Sequence, residues 1–414
     1  MHFSREAAKN AKRSEFLRRR IFLTRRRGKP YKSYSFAFFA PSREENQLSK
    51  LTLTCECRPC VSGKVVIRYN SRSMKNVLVT GAAGFIGSNF VRYALEKHTD
   101  WNVVVYDKLT YAGNLDNLKD VAERFGGRYH FVQGDIADRE MSFAVVKENA
   151  IDLIVNFAAD SHVDRSLTEP GSFIMTDVYG TYVLLEAARE FGVERFHQIS
   201  TDEVYGDIDA PGRSTEEDKL HGSSPYSASK AGGDLMCLAY ARSFKVPVTI
   251  TRGTNNIGPY QYPEKVVPVW VTNAIDGLPL PMYGDGRQMR DYQYVLDHCE
   301  GIDIVIEKGE LGEVYNVGSG VETRNIDLAH SILDLLGKPY SLIQPITDRP
   351  GHDRRYAVDN SKVRALGWHP GNSFAQSIEK TVRWYLDNES WWRKIKSGEY
   401  LAYYRKQYEG REVK

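Results

Sequence analysis

The stretch GAAGFIG over residues 81–87 constrains the fold more than any other part of this sequence. A short apolar run at residues 77–79 comes directly before it, and residues 88–97 after it are typical of a helix. A strand that passes through a glycine turn into a helix is the first part of a dinucleotide-binding βαβ unit. The first glycine permits the tight turn, the second lets the backbone approach a pyrophosphate, and the third lets the helix pack on the strand.

A second apolar strand, predicted at residues 103–106, ends in Asp107, about 20 residues beyond the glycine turn. A carboxylate at this position binds the ribose hydroxyls of the adenosine, and it favours NAD over NADP because it repels a 2′-phosphate. Alternatively, the glycine turn serves only to pack a strand against a helix. The strand context, the spacing and the acid together favour the cofactor site.

Further strands are predicted at residues 129–132 and 153–157, with helical stretches between them. This alternation predicts an α/β fold with a Rossmann-type, doubly wound parallel sheet. Ligands of such a sheet bind at the carboxyl ends of its strands.

The pattern becomes less regular from about residue 255, where prolines interrupt the elements. We therefore predict an NAD-binding domain with the catalytic residues over residues 74–254. A smaller C-terminal substrate-binding lobe is predicted over residues 255–395, with some return to the sheet, and a C-terminal tail over residues 396–414.

Residues 1–73 differ from the rest of the chain in charge. They hold 18 Lys/Arg and 5 Asp/Glu in a chain whose net charge is +3, so the remaining residues are acidic overall. We expect this basic extension to be disordered, because no sustained apolar pattern runs through it. It could be a transit peptide, a nucleic-acid-binding arm or translated sequence upstream of the true start. We favour the last, because Met74 directly precedes the first predicted strand.

The cysteines and the hydropathy pattern bear on the compartment. Cys55, Cys57 and Cys60 lie in the basic extension with no histidine close by, and we interpret them as incidental thiols. Cys237 and Cys299 fall in predicted helices and are expected to be buried and reduced. The sequence has no apolar run of about 18 residues or more. We expect a soluble, cytoplasmic protein without a membrane partner, a nucleic-acid partner or a metal.

Tyr226 and Lys230 are four residues apart at the start of a predicted helix, so both project from one face. An ammonium next to a tyrosine stabilises the phenolate, which would make Tyr226 a usable base for a sugar hydroxyl. Tyr/Lys pairs are common on helix surfaces. Only the predicted NAD site in the same chain favours the catalytic interpretation.

Thr201, Asp202 and Glu203 follow an apolar strand predicted to end at Ile199. Two adjacent carboxylates suit an elimination, because one can stay protonated to expel a hydroxyl while the other is ionised to remove a proton. The alternative is a solvated acidic turn or a helix N-cap.

From residue 74 to about residue 385, the sequence resembles the dTDP-glucose 4,6-dehydratase branch of the extended short-chain dehydrogenase/reductase family. The matching segments are TGAAGFIGSNF, YDKLTYAGNLDNL, AADSHVDRS, STDEVYG, SPYSASKA, NNIGPYQYPEK, YGDGRQMRD and DRPGHDRRYAVD. The glycine turn and the Tyr/Lys pair are shared across the superfamily. The TDE triplet at residues 201–203 is narrower, because sugar epimerases usually carry small residues in place of the two acids.

The resemblance implies a reaction. Tyr226, helped by Thr201 and Lys230, takes the C4 hydroxyl proton of dTDP-glucose while NAD accepts the C4 hydride. Glu203 then removes the C5 proton, Asp202 protonates the departing C6 hydroxyl, and the hydride returns to C6 to give dTDP-4-keto-6-deoxyglucose. A UDP-glucose 4,6-dehydratase or a related nucleotide-sugar enzyme is the first alternative, and a non-catalytic NAD-binding sensor is a remote one.

The resemblance also implies the binding residues and the oligomer. Residues expected to contact NAD surround the glycine turn and the strand ends: Gly81, Gly84, Phe85, Ile86, Gly87, Asp107, Lys108, Thr110, Asp135, Ile136, Ala158, Ala159, Ser161, Thr176, Tyr226, Lys230 and Asn256. Residues expected to hold the nucleotide sugar lie mainly in the second lobe: Ser161, His162, Asn255, Lys265, Val266, Pro281, Tyr283, Arg290, Asn325, Asp353, Arg354 and Tyr356. Family members form homodimers through two long helices, so we expect a homodimer.

A few positions depart from the residues that are usual in the family. Gly253, Thr254 and Ile257 stand where Cys, Ser and Tyr are common, Asp177 replaces a usual Asn, and Tyr292-Gln293 replaces Trp-Leu. None of these positions belongs to the TDE triplet or to the Tyr/Lys pair. They leave open which nucleotide sugar the enzyme prefers.

Overall fold

The computed structural model describes residues 22–24, 34–38, 51–55, 75–348, 351–397 and 404. The chain divides into two compact units, Met1–Asn70 and Ser71–Lys414.

The first unit contains a three-stranded antiparallel sheet in the order β1-β2-β3, formed by Phe22–Thr24, Tyr34–Phe38 and Leu51–Cys55. We expected no regular structure here, and the three strands differ from that expectation. Their sequences YSFAF and LTLTC alternate locally in the way that favours strands, although the alternation is short. Most of residues 1–73, including Cys57 and Cys60, lie outside the described residues.

The second unit is built on a parallel sheet. Its strands in chain order are β4 Asn76–Thr80, β5 Asn102–Asp107, β6 Tyr129–Gln133, β7 Leu153–Asn156, β8 Arg195–Thr201, β9 Val248–Gly253, β10 Asn255–Ile257, β11 Leu280–Tyr283, β12 Met289–Tyr294, β13 Val314–Val317, β14 Glu322–Arg324 and β15 Ile343–Ile346. Seven of them form one sheet in the order β13-β9-β8-β7-β4-β5-β6, and all the pairings in this sheet are parallel. The doubly wound Rossmann-type sheet is therefore confirmed, and the predicted strands match within about two residues.

Helices alternate with these strands. They are α1 Phe85–Lys97, α2 Lys119–Phe125, α3 Arg139–Glu148, α4 Val163–Ser166, α5 Pro170–Phe173, α6 Thr181–Phe191, α7 Pro225–Phe244, α8 Val266–Asp276, α9 Val295–Lys308, α10 Asn325–Leu336, α11 Ser361–Ala365, α12 Phe374–Asp387 and α13 Glu389–Ile395. A π-helical turn, Ile174–Gly180, connects α5 to α6, and a 3₁₀ turn, Asp202–Tyr205, follows β8. Among the described residues, no helix is both long enough and apolar enough to cross a bilayer.

The apolar side chains of each strand divide between two cores, because successive residues of a strand point to opposite faces of the sheet. Val77 and Val79 pack in one core with α1 and α9, whereas Leu78 packs in the other with α3, α6 and α7. Cys299 lies in the first core and Cys237 in the second, both as buried free thiols, which confirms their predicted burial.

The strand order reverses beside β4. From β4 the chain proceeds through β5 to β6 on one side, and it returns through β7, β8 and β9 on the other. Such a reversal opens a crevice at the carboxyl ends of the strands, where open α/β sheets bind their ligands.

The chain beyond residue 254 builds a second lobe and also returns to the sheet. β10, β12 and β14 form one small sheet, β11 and β15 pair beside it, and a third core surrounds Trp270, Leu328 and Tyr385. β13 pairs with β9 at the edge of the large sheet. Most of the predicted tail lies outside the described residues, although the Tyr404 hydroxyl accepts a hydrogen bond from Asn273 Nδ2 at 2.9 Å.

Candidate active site

A cavity of about 330 Å³ opens at the crevice, along the carboxyl ends of β4, β5, β7, β8 and β9. All the residues predicted from the resemblance to contact NAD line this cavity. They come from seven separate stretches of sequence, which the fold brings together around one cavity.

The glycine turn between β4 and α1 fits a dinucleotide. Gly81 has a φ of +62°, and a Cβ there would lie 2.6 Å from the backbone of Ala158. A Cβ on Gly87 would lie 2.7 Å from the Gly81 carbonyl oxygen. Gly84 has more room, since its nearest contact would be that same oxygen at 3.2 Å. Gly81 and Gly87 thus serve the turn and the packing of the helix, and Gly84 leaves the backbone open to a pyrophosphate.

Asp107 ties the end of β5 to the glycine turn. Its carboxylate accepts hydrogen bonds from the backbone N–H of Ala83 at 2.9 Å and of Leu109 at 2.8 Å. Burial raises the pKa of Asp107, while these two N–H groups lower it. Close by, Lys108 pairs with Asp135 at 2.7 Å. The wall of the cavity here carries an acid at the predicted ribose position.

The TDE triplet lies where β8 ends. Thr201 Oγ1 accepts a hydrogen bond from the backbone N–H of Glu203 at 3.2 Å and lies 3.2 Å from Asp202 Oδ1. Asp202 is buried, and Glu203 lines the cavity. Burial, followed by the charge of Glu203, raises the pKa of Asp202 to about 8, with Arg290 acting in the opposite direction. Asp202 is therefore mainly protonated at neutral pH.

Tyr226 and Lys230 lie in the first two turns of α7, which begins with a capping box between Ser224 and Ser227. Lys230 Nζ donates to the Ile199 carbonyl oxygen at 2.8 Å, and both side chains line the cavity. The pKa of Tyr226 differs from our expectation. Burial, and next the charges of Glu203 and Asp177, raise it well above the ordinary value, whereas Thr201 lowers it. The ammonium of Lys230 does not outweigh these effects in the chain alone.

Most of the residues predicted to hold the nucleotide sugar fall into two groups. Ser161, Asn255, Lys265 and Val266 line the cavity, and Lys265 Nζ donates to the Ser161 carbonyl oxygen. His162 is buried, and burial lowers its pKa.

The second group surrounds Arg290 in the second lobe. The Arg290 guanidinium lies 4.2 Å from the centre of the Tyr356 ring and donates to the Asp353 carbonyl oxygen at 2.9 Å. The Tyr292 hydroxyl donates to Asn325 Oδ1 at 2.9 Å. The charge of Arg290 lowers the pKa of Asp202, and the charge of Glu203 raises the pKa of Tyr356. The Arg290 group therefore faces the TDE triplet.

Three predicted residues make contacts away from this group. Arg354 is half-exposed and pairs with Asp285 at 2.7 Å, so a diphosphate there would compete with an internal carboxylate. The Pro281 carbonyl accepts from Trp270 Nε1 at 2.9 Å. Tyr283 donates to Asp164 at 3.2 Å. Their binding roles stay predictions.

Two of the departures from the family's usual residues, Gly253 and Gln293, contact the same side chain, that of His298. A Cβ on Gly253 would lie 2.0 Å from His298 Cε1, so the ring occupies the space of a side chain at that position. Gln293 Nε2 donates to the Val317 carbonyl at 2.9 Å and lies 2.8 Å from His298 Nδ1. Burial lowers the pKa of His298 to about 3, so its ring is neutral. The glycine and the glutamine therefore belong to one arrangement around this histidine.

Two residues that line the cavity, Glu264 and His298, were not predicted from the sequence. Glu264 lines the cavity and accepts from the Tyr111 hydroxyl at 2.9 Å, and the Arg165 guanidinium lies 3.7 Å from the centre of the Tyr111 ring. Glu264 precedes Lys265 within the segment NNIGPYQYPEK, which was the available signal. His298 lies outside every motif, and only packing identifies it.

Comparisons with known proteins show which families this chain is similar to. The family model described as GDP-mannose 4,6 dehydratase matches residues 78–381. The chain is 45% identical over 362 residues to the dTDP-glucose 4,6-dehydratase of Salmonella typhimurium, a match that covers 81% of this chain and 99% of that protein.

Two solved structures extend the comparison. DesIV, the dTDP-glucose 4,6-dehydratase of Streptomyces venezuelae, solved with NAD and TYD bound, is 47% identical with a TM-score of 0.75, covering 77% of this chain and 99% of its own. The UDP-glucose 4-epimerase of Thermus thermophilus, solved with NAD, is 30% identical with a TM-score of 0.71, covering 76% and 99%. The chain is thus similar in sequence to the dehydratases and similar in fold to both groups.

Proposed function

The chain belongs to the dTDP-glucose 4,6-dehydratase family of NAD-dependent enzymes, and on that premise we propose that it converts dTDP-glucose to dTDP-4-keto-6-deoxyglucose. The observation that carries the proposal is the position of Glu203 in one cavity with the dinucleotide turn and the Tyr226/Lys230 pair, next to the buried, protonated Asp202.

NAD, when bound, accepts a hydride from the sugar and later returns it. The glycine turn, Asp107 and the cavity wall around Asp135 would hold it. Tyr226 would take the C4 hydroxyl proton, with Thr201 and Lys230 supporting the phenolate. Because burial raises the pKa of Tyr226, this step would depend on the positive charge of Lys230, four residues along the same helix.

Elimination requires an acid and a base at the same time. Asp202 would donate its proton to the departing C6 hydroxyl, since its pKa of about 8 keeps it protonated at neutral pH. Glu203 would remove the C5 proton. Burial thus keeps the proton on Asp202, directly beside the residue proposed as the base.

The nucleotide end would bind at the second lobe. Arg290, stacked on Tyr356 and held by the Asp353 carbonyl, has the fork geometry for phosphate oxygens. Asn255 and Lys265 would bind from the cavity side. The Gly253 and Gln293 departures contact His298, and the Tyr292 departure lies in the Arg290 group, where its hydroxyl donates to Asn325. The preference for a dTDP-sugar over a UDP-sugar therefore rests on the similarity to dTDP-glucose 4,6-dehydratases.

The test is a comparison of dTDP-glucose and UDP-glucose turnover by the full-length chain, with the 4-keto-6-deoxy product detected by its alkaline absorbance. We expect a clear preference for dTDP-glucose. Equal or greater turnover of UDP-glucose would identify the alternative dehydratase. Bound NAD without product from either sugar would favour another hexose or a binding role.

We propose that the chain forms a homodimer whose interface lies on the surface beside the active site. Ile174 and Met175 in the π-helical turn are 57% and 51% exposed, and Leu235 on the neighbouring α7 is 57% exposed. Apolar side chains exposed together on two packed elements are typical of an interface. Light scattering should show a dimer that Leu235→Arg converts to a monomer. The control Leu278→Arg, at a residue 48% exposed in the second lobe, should remain dimeric.

We also propose that the enzyme acts in the cytoplasm. The free thiols of Cys237 and Cys299 are buried in the two cores of the sheet, as expected of a protein kept in a reducing compartment. Cell fractionation with detection of the protein tests this, and recovery outside the cytoplasmic fraction would contradict it.

A further inference from the structure

The π-helical turn Ile174–Gly180 packs closely on α7, directly beside the Tyr226/Lys230 pair. A Cβ on Gly233 would lie 2.7 Å from the Asp177 carbonyl oxygen, and one on Gly232 would lie 2.8 Å from a Val178 methyl group. Two adjacent glycines of α7 therefore allow the turn to approach. Single π-helical turns are rare and occur frequently at functional sites.

This turn places a carboxyl group against α7. Asp177 is 1% exposed. Ser229 Oγ donates to its Oδ2 at 2.5 Å, and the backbone N–H of Asp160 donates to its Oδ1 at 3.2 Å. The same Ser229 hydroxyl lies 2.8 Å from the Tyr226 carbonyl oxygen. One hydroxyl thus links Asp177 to the turn of α7 that carries both Tyr226 and Lys230.

The charged groups that face Asp177 come from two elements. Lys230 on α7 attracts the carboxylate, and Asp160, in the segment after β7 that lines the cavity, repels it. Burial is the largest effect and raises the pKa of Asp177 to about 7, although Lys230 and Ser229 lower it. Asp177 in turn is one of the charges that raise the pKa of Tyr226, together with Glu203 and Asp202.

We propose that Asp177 is a positioning residue for the oxidation step, which holds α7 through Ser229 and sets, through its charge, how readily Tyr226 releases its proton. This inference rests on the proposed role of Tyr226 as the base. An ionised carboxylate in a buried site disfavours a second negative charge, so ionised Asp177 opposes the phenolate and protonated Asp177 does not. The asparagine that is usual at this position has no such ionisation.

The test is the pH dependence of cofactor reduction in a single turnover. NAD-loaded enzyme is mixed rapidly with dTDP-glucose, and the near-ultraviolet absorbance of the reduced cofactor is followed. Asp177→Asn should match the parent below about pH 6 and become faster than the parent above about pH 8, by up to about tenfold if the charge raises the tyrosine pKa by one unit. The isosteric substitution preserves the shape of the side chain.

Two further variants make the result specific. Ser229→Ala removes a hydrogen-bond donor that favours the ionised form of Asp177, so it should raise the pKa of Asp177. The pH above which Asp177→Asn is the faster enzyme should therefore be higher when the comparison is with Ser229→Ala than when it is with the parent. Asp297→Asn is the matched control. Asp297 is a buried acid whose pKa is raised by burial, and it accepts from Asn372 Nδ2 at 2.7 Å, away from Tyr226 and the TDE triplet. This control should keep the parent's profile.

Two results would overturn the proposal. In the first, Asp177→Asn and the parent have the same pH profile of cofactor reduction, which would mean that the charge has no effect. In the second, Asp177→Asn is slower by the same factor at every pH, which would mean that Asp177 is only structural. Tyr226→Phe separates this from failure of the proposed function. If that variant still reduces the cofactor, the base is wrongly assigned. If it does not, an unchanged profile in Asp177→Asn refutes the Asp177 role alone.

Discussion

Asp202→Asn should separate the elimination from the oxidation. The substitution keeps the size of the side chain and removes its acidic proton, while Thr201, Tyr226 and Lys230 stay in place. Loss of a positioned general acid costs about 10²- to 10⁴-fold in the step that it serves. We therefore expect the variant to reduce its cofactor on mixing with dTDP-glucose, to accumulate the reduced form, and to yield almost no 4-keto-6-deoxy product.

The pKa of about 8 sets the pH dependence of the parent enzyme. Asp202 must be protonated to act, and about nine-tenths of it is protonated one unit below the pKa. Turnover limited by elimination should fall by about tenfold per pH unit above pH 8. The residual turnover of Asp202→Asn should not show this fall above pH 8.

The same substitution should stabilise the fold at neutral pH. Because burial raises the pKa of Asp202, the unfolded chain loses its proton at a lower pH than the folded chain does. The parent therefore loses stability as pH rises from about 4 towards about 8, and the variant does not. Thermal melts at two pH values measure this difference: pH 5 is about one unit above the pKa of Asp202 in the unfolded chain, and pH 8 is at its pKa in the folded chain.

Normal product formation by Asp202→Asn, or its failure to reduce the cofactor at all, would refute the role assigned to Asp202.

Three other substitutions test the rest of the site. Glu203→Gln should still reduce the cofactor but should not exchange the C5 hydrogen with deuterated solvent; normal exchange measured by mass spectrometry removes Glu203 from the scheme. Gly81→Ala places a Cβ 2.6 Å from the Ala158 backbone at a φ of +62°, so it should lose bound NAD and about 1–3 kcal/mol of stability, and NAD content and melting temperature check this. Arg290→Lys keeps the charge but loses the planar fork, so KM for dTDP-glucose should rise about tenfold with a smaller change in kcat; an unchanged KM would contradict phosphate binding by Arg290.

Much of the fold could be predicted from local patterns. The apolar run before residue 81, the glycine spacing and the acid at residue 107 predict a strand, a turn, a helix and a second strand, and all four are present. These features depend on residues close together in the chain, where backbone geometry and hydrophobic periodicity decide the outcome. The short strands within residues 1–73 were missed because their alternation spans only five residues or fewer.

The chemical groups at the site could also be predicted from the sequence. The TDE triplet and the Tyr/Lys pair occur in short segments, and every residue expected to contact NAD lines one cavity. The sequence could place these groups at strand ends and helix starts. It could not say which acid is protonated.

Protonation and charge were decided by tertiary packing. Asp202 and Glu203 are neighbours in sequence, but the largest cause of the raised pKa of Asp202 is burial, followed by the charge of Glu203, and Arg290 from the second lobe lowers it. Likewise Asp177 lies about fifty residues from Ser229, and a π-helical turn against two glycines brings them together. A pKa depends on solvent exclusion and on charges within a few ångströms. The sequence alone determined the fold class and the reactive groups, whereas the tertiary structure decided their burial, their partners and hence their chemistry, because those distances exist only in the packed chain.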